Sequence, residues 1–233
     1  HNSATSDAIT MASDGTCTAK LTSVGGGPLS HRNFFINGST IVWQRGTVNP
    51  NDINYGCDRW WFANGATRVD RSTVVPDGFA YSMKVTSNGG GTSIGQPIEL
   101  IGTGRSQFEP SASYTLSFYA RTDSSTNNIS ATVFYRNSKF SGTNQVNWGP
   151  TVTQNMGTMT TTFQRFSKTF TAPAAPNANN QVLAIEFSNS ATYYITGIQF
   201  EKGAAATPFE HRSFGDELAR CQRYFCRLQS GAN

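Results

Sequence analysis

Between residues 33 and 200 apolar and polar residues alternate in short runs, and clusters of Gly, Asn, Ser and Pro separate one run from the next. A period of two is what a strand with one buried face requires, so this stretch predicts an antiparallel sandwich. In residues 114–121 one parity carries Tyr114, Leu116, Phe118 and Ala120, the expected core face, and the other carries Thr115, Ser117, Tyr119 and Arg121. In residues 129–136 the inward set is Ile129, Ala131, Val133 and Tyr135, leaving Ser130, Thr132, Phe134 and Arg136 outside. Similar runs at 79–85, 163–170, 182–187 and 193–200 bring the expectation to about eight to ten strands in two sheets.

The period changes only near the end. Ser213 with Asp216 three residues on forms a capping-box arrangement, and Leu218, Cys221, Phe225 and Leu228 then recur at helical spacing. An amphipathic helix over 213–233 is predicted, its apolar stripe meeting symmetry mates at an oligomer interface or packing back on its own sandwich. Residues 1–30, rich in Ser, Thr, Ala and Gly and ending in a Gly-Gly-Gly-Pro turn, read as a connector, with the sandwich spanning 31–212. The chain is thus expected to be all-β apart from one short C-terminal helix.

Composition narrows the class of partner. Only 14% of the 233 residues are charged, against about 25% in ordinary soluble domains, so Ser, Thr, Asn and Gln must cover much of the surface. The net charge of +4 attracts anions weakly, and its Lys and Arg residues are scattered, without the stripe that nucleic-acid binding needs. No apolar run suffices for membrane insertion, and the first residues lack the layout of a signal peptide. A chain that opens on His1 is expected to carry a tag remnant or to be cut from a longer protein. Cys17, Cys57, Cys221 and Cys226 show neither a C-x-x-C pair nor zinc-ligand spacing.

Three segments of the ending carry a resemblance: 197–203 (GIQFEKG), 207–212 (TPFEHR) and 217–225 (ELARCQRYF). They resemble the ending of bacteriophage tail-fibre and related virion structural proteins of cyanophage and marine-phage type. Upstream, 14–19 (DGTCTA), 32–38 (RNFFING), 43–47 (WQRGT) and 58–60 (DRW) are similar to the same family. The two blocks bracket the chain, and residues 65–190 resemble the family in pattern alone. The resemblance implies a jelly-roll sandwich similar to carbohydrate-binding modules, carried on a trimeric fibre, spike or horn.

The function it implies is a non-enzymatic virion protein, assembled in a bacterial cytoplasm, that binds host cell-surface glycan or lipopolysaccharide. Its partners would be two further copies in a homotrimer and other virion proteins. Reduced thiols fit assembly in a cytoplasm. The alternative is a structural decoration or adaptor protein of the virion that touches no sugar. A third reading, a secreted lectin or enzyme-borne sugar module, would join the four cysteines in disulfides. No cofactor is expected, although similar sugar-binding sandwiches hold Ca²⁺, and Asp58, Asp70 or Glu201 are oxygen donors available to one.

Two pairs on the outward parity, Tyr119 with Arg121 and Phe134 with Arg136, are the sharpest candidates for glycan binding. A flat ring stacks on the apolar face of a sugar while a guanidinium donates to its oxygens. The bland alternative is a face covered by a neighbouring subunit or by the helix. Trp148, in a long polar loop over 137–157, either presents its indole to a ligand or folds back on the core. Trp43 and at least one of Trp60 and Trp61 read as packing. Residues 91–95 spell G-T-S-I-G, yet no strained strand-to-helix elbow is expected there, so no nucleophilic serine is assigned. Paired carboxylates for glycan cleavage are not evident either.

Overall fold

The alternating runs pair into two facing six-stranded antiparallel sheets. The computed structural model describes residues 9–11, 17–19, 31–50, 55–63, 66–87, 92–99, 108–123, 126–136, 146–149, 153–174, 182–189 and 191–227. In chain order the strands are β1 (Ile9–Met11), β2 (Cys17–Ala19), β3 (Val48–Pro50), β4 (Trp61–Ala63), β5 (Ala66–Ser72), β6 (Ser82–Ser87) and β7 (Thr92–Glu99). They continue with β8 (Ser113–Thr122), β9 (Asn127–Arg136), β10 (Val146–Asn147), β11 (Gln154–Met159), β12 (Gln164–Thr171), β13 (Val182–Asn189) and β14 (Tyr193–Lys202), and one helix follows, α1 (Phe214–Gln222).

The first sheet runs β10-β9-β13-β7-β4, with β11 also paired to β9, and the second runs β12-β8-β14-β6-β5-β3. Successive long strands β7, β8 and β9 alternate between sheets, as do β12, β13 and β14, which is the winding of a jelly-roll sandwich. Among the described residues β1 and β2 pair only with each other. The structure has more strands than the sequence reading because β1, β2, β3, β4 and β10 have three residues or fewer, too short to show alternation.

Both expected core parities are inward. Tyr114, Leu116, Phe118 and Ala120 of β8 and Ile129, Ala131, Val133 and Tyr135 of β9 are buried in one cluster. Phe118 meets Phe187 of the facing sheet edge-on at 4.9 Å, and Trp60 and Phe35 continue the contact. Tyr114 stacks on Phe200 at 5.7 Å at the other end. Such ring pairs add about 0.5–1.5 kcal/mol each beyond the area they bury.

A buried polar network joins the two ends of the sandwich. Arg212 Nη1 donates to Phe35 O at 2.9 Å and to Glu217 Oε1 at 3.2 Å, while Nη2 donates to Asn33 O at 2.6 Å and to Glu210 Oε2 at 3.2 Å. Glu217 also accepts the Asn37 N–H at 2.6 Å, and Glu210 accepts those of Asn33 and His31 at 2.9 and 2.5 Å. Side-chain exposure is only 7% at Arg212 and 4% at Glu217, so these charges are paired because they are dry.

This network corrects the reading of the helix. Ser213 does cap α1, its Oγ accepting the Asp216 N–H at 3.2 Å. The buried positions, however, are Glu217 and Cys221, and the helix stops at Gln222 before Phe225 is reached. Cys221, expected at an oligomer interface, is buried within its own chain. Phe225 lies past the helix with the Arg45 guanidinium 3.5 Å from its ring centre, Leu218 is half-buried, and Leu228 lies outside the described residues. The stripe was readable as apolar, but a carboxylate that docks by hydrogen bonds leaves no mark in a hydrophobic period.

Two measurements check the network. Arg212→Ala leaves two carboxylates without their counter-charge and is expected to cost about 3–5 kcal/mol in urea unfolding, with Arg212→Lys recovering only part. Burial pushes the Glu210 carboxyl up, but the Asn33 N–H, Arg212, the His31 N–H and Arg32 outweigh it and hold its pKa below the ordinary value. Its contribution is therefore present above the unfolded carboxylate value and lost as pH falls through the folded one. Glu210→Gln is expected to destabilise the protein clearly at about pH 7 and much less at about pH 3. Asp58 has the opposite sign: burial raises its pKa against the bonds from Gln44, so its contribution shrinks as pH rises.

Candidate functional site

The outer face of the second sheet collects aromatic and cationic side chains in two rows. The register sets Lys84 of β6, Tyr194 of β14 and Arg121 of β8 side by side. The Lys84 ammonium lies 5.5 Å and the Arg121 guanidinium 5.1 Å from the Tyr194 ring centre, and both reach Asp123, at 3.4 and 3.5 Å. Contact with Tyr194 and with Asp123 holds the Lys84 pKa above its ordinary value.

The second row is built on Tyr119, opposite Arg165 of β12 and Thr196 of β14. Phe79, from the turn before β6, packs on Tyr119 at 5.4 Å, on Phe209 at 5.2 Å and on His211 at 5.1 Å. Phe209 and His211 meet edge-on at 4.9 Å, and the Arg165 guanidinium lies 5.8 Å from the Tyr119 ring centre. Phe79, Tyr119 and Phe209 are half-buried and His211 is exposed, so the group forms an open platform. Gly197, in the bulge of β14 with φ of +60°, lets the rings lie on the sheet, since a Cβ there would stand 2.7 Å from Phe79 and 2.9 Å from Tyr119.

The rest of this face is covered by a strap, residues 203–212. Beneath it Thr115, Ser117, Gln199 and Glu201 are buried despite their outward parity. Glu201 accepts the Thr207 N–H at 2.9 Å, the Thr207 hydroxyl at 2.6 Å and the Gln199 amide at 2.8 Å. Arg165 Nη2 clips the strap from the side, donating to Thr207 O and to Ser117 Oγ.

The structure separates the predicted residues. Tyr119 and Arg121 are on the platform face, whereas Phe134 and Arg136 belong to β9 on the opposite sheet, so the two pairs cannot form one site. Phe134 is 2% exposed on the side away from the core cluster, so its ring is unavailable for stacking. Outward parity fixes direction, and both sides of a sheet can be covered. The Arg136 side chain lies outside the described residues.

Trp148 is 0% exposed, a further correction to the candidate set. Its backbone N–H donates to Val133 O, and the next residue, Gly149, bridges to Thr171 of the second sheet. The crossing turns the indole inward against Phe108, Tyr114, Tyr135 and Phe200.

The proposed calcium ligands do not assemble. Asp58 accepts the Gln44 N–H and side-chain amide at 2.6 and 2.8 Å, Asp70 is engaged by Arg68 at 2.5 Å, and Glu201 is held by Thr207 and Gln199. Among the described residues no three His, Cys, Asp or Glu side chains group as a metal would require. Residues 92–95 of the G-T-S-I-G run lie within β7. Cys57, Cys221 and Cys226 are free thiols.

Sequence reasoning missed Phe79, Phe209, His211 and Arg165 of the platform, and also Tyr194, whose buried ring supports Lys84 and Arg121. Phe79 read as the start of a strand, and Phe209 and His211 read as a connection to the helix. The turn before β6, the edge strand β12 and the strap converge on Tyr119 of β8 to bring the platform residues together.

The two-layer sandwich thus presents one open patch on which aromatic rings lie beside guanidinium groups. Residues 46–192, more than half of the chain, match the Carbohydrate binding domain family, and the chain belongs to that family. A proposed sugar-binding protein from Bacteroides thetaiotaomicron has a similar fold, with 11% identity over 73% of this chain and 100% of that one and a TM-score of 0.52. The enzymatically active domain of bacteriophage CBA120 tailspike protein 4 is 19% identical over 73% of this chain, which spans 21% of its length, with a TM-score of 0.48. The CBM22-1 xylan-binding domain of Paenibacillus barcinonensis Xyn10C is 12% identical over 79% of this chain and 100% of that one, with a TM-score of 0.47. No curated protein matches the chain.

Two substitutions separate packing from recognition. Trp148→Ala is expected to cost about 3–5 kcal/mol in thermal or urea unfolding, as a core deletion does. Gly197→Ala should displace Phe79 and Tyr119 and cost about 1–3 kcal/mol from its left-handed backbone, visible as a lower unfolding midpoint and altered tyrosine fluorescence.

Proposed function

We propose that this chain is the receptor-binding sandwich of a phage surface appendage and takes host cell-surface glycan on the platform of the second sheet. The observation that carries the site is the grouping of Phe79, Tyr119, Phe209 and His211 on one open face beside Arg165. Apolar C–H faces of a pyranose ring stack on such rings, and the guanidinium supplies donors to hydroxyl oxygens. Membership of the Carbohydrate binding domain family supports the partner class. The terminal blocks at 14–60 and 197–225, similar to tail-fibre proteins, support the virion setting and assembly in a bacterial cytoplasm.

The action proposed is adhesion without bond cleavage. A shallow site gives little net energy, because stacking and a few hydrogen bonds compete with water, and a trimer raises effective affinity by about 100-fold or more. Phe214, 57% exposed on α1, and half-buried Leu218 one turn on offer apolar surface at which copies meet.

A glycan array and a pull-down with host lipopolysaccharide test the reading, with Phe79→Ala and Tyr119→Ala as companions. Each substitution is expected to weaken binding about tenfold, measured at a temperature where the variant is fully folded, because the lost ring contacts also lower the unfolding midpoint. Binding that survives both substitutions would place the sugar elsewhere. No signal at high protein concentration, with particle assembly retained, would favour the decoration or adaptor reading.

A further inference from the structure

Beside the platform, on the far side of Arg165, a trough of about 520 Å³ opens between β12 and the strap. That volume falls within the range of about 300–1,000 Å³ usual for small-molecule sites. Thr115, Arg165, Ser167, Lys168 and Thr169 line it together with strap residues 204–206. Its lining carries no carboxylate, and its outward-facing cation is Arg165; Lys168 alternates to the parity of the core residues Phe166 and Phe170.

The charge balance of this trough differs from the rest of the face. Arg68, Lys84, Arg121 and Lys202 each pair with an acidic side chain. Neither Arg165 nor Lys168 forms an ion pair with a described residue. Arg165 is held in place through Nη2 by Ser117 and Thr207, which leaves the other N–H groups of its fork uncommitted. Glu201, the acidic residue under the strap, is buried and engaged by Thr207 and Gln199. The floor is hydroxylic: Thr115 Oγ1 and Thr169 Oγ1 lie 3.1 Å apart and donate to Gly203 O and Ala204 O at 2.8 and 3.1 Å.

We infer that the trough takes the anionic substituent, carboxylate or phosphate, of an acidic sugar whose neighbouring residue stacks on the platform. This deepens the glycan reading and rests on it. A pre-positioned guanidinium donates along the oxygens of an anion, and no carboxylate of the lining opposes it. Arg165 touches both the platform and the trough, so it sets the distance between stacked ring and acidic group.

The test is calorimetric titration with four probes: tetragalacturonate, its carboxyl-reduced neutral counterpart, a phosphorylated mannan and the same mannan dephosphorylated. At least one acidic probe should bind about tenfold more tightly than its neutral partner, since charge-assisted hydrogen bonds exceed neutral ones by that order. Which acidic probe wins distinguishes carboxylate from phosphate. Arg165→Gln should bring the acidic-to-neutral affinity ratio close to one, with Arg165→Lys recovering part of it, whatever either variant does to neutral-chain affinity. Equal affinity for acidic and neutral chains, or a preference that Arg165→Gln leaves intact, overturns the inference while the glycan reading stands. Absence of binding by all four overturns the inference, and the array then decides the broader reading.

Discussion

Arg212 holds a full positive charge where water scarcely reaches it, and the arrangement of residues 31–37 and 203–222 follows from that condition. A lone guanidinium in such a place would be prohibitively costly, and it persists only because two carboxylates and two carbonyls converge on it. Those partners come from segments nearly 180 residues apart in sequence. Glu210 and Glu217 arrive with the strap and the helix, while Asn33 and Phe35 lie on the segment entering the fold. Each carboxylate then grips a backbone N–H of that same segment. Ladder hydrogen bonds tolerate register slips, but a planar fork that must meet four acceptors does not.

From this constraint the geometry of the outer face follows. With Arg212 fixed at one end and Lys202 completing β14 at the other, residues 203–212 must cross the second sheet. They cover Thr115, Ser117, Gln199 and Glu201 and stop short of Tyr119. Short hydroxyl and amide side chains on the covered half are what a polar backbone needs beneath it, because each buried carbonyl and N–H must find a partner. Bulky rings occupy the half left open. One sheet face thus serves as strap-binding floor and as recognition surface, and Arg165 stands at the boundary.

Strand parity was legible because burial on one side imposes a period of two, and every inward residue of β8 and β9 obeys it. Accessibility was not. Ser117 and Phe134 share the outward parity with Tyr119, yet both are buried, one by the strap and the other on the far sheet. Assigning Tyr119 and Phe134 to one surface failed for a related reason: consecutive long strands of a jelly roll alternate between sheets, so neighbours in sequence face opposite ways. Trp148 was undecided because its direction depends on Gly149 crossing to Thr171. The helix cap was readable from Ser213 and Asp216, since capping is local. Its docking through Glu217 was not, since the partners lie about 180 residues away in sequence.

Recognition and folding are coupled through the strap. Phe209 and His211 belong to it, and Arg212 follows His211 directly, so the rings keep their places only while the buried network is closed. Any opening of this segment removes half of the platform and exposes charged groups together. A ligand that bridges Tyr119 and Phe209 favours the closed strap by its differential affinity for that state. Conversely, the cost of ordering the strap is met during folding by Arg212, Glu201 and Thr207, so a glycan meets rings already in position. Pre-organisation of this kind matters most for a shallow site, where the gross interaction energy is small and little of it can be spared for ordering loops.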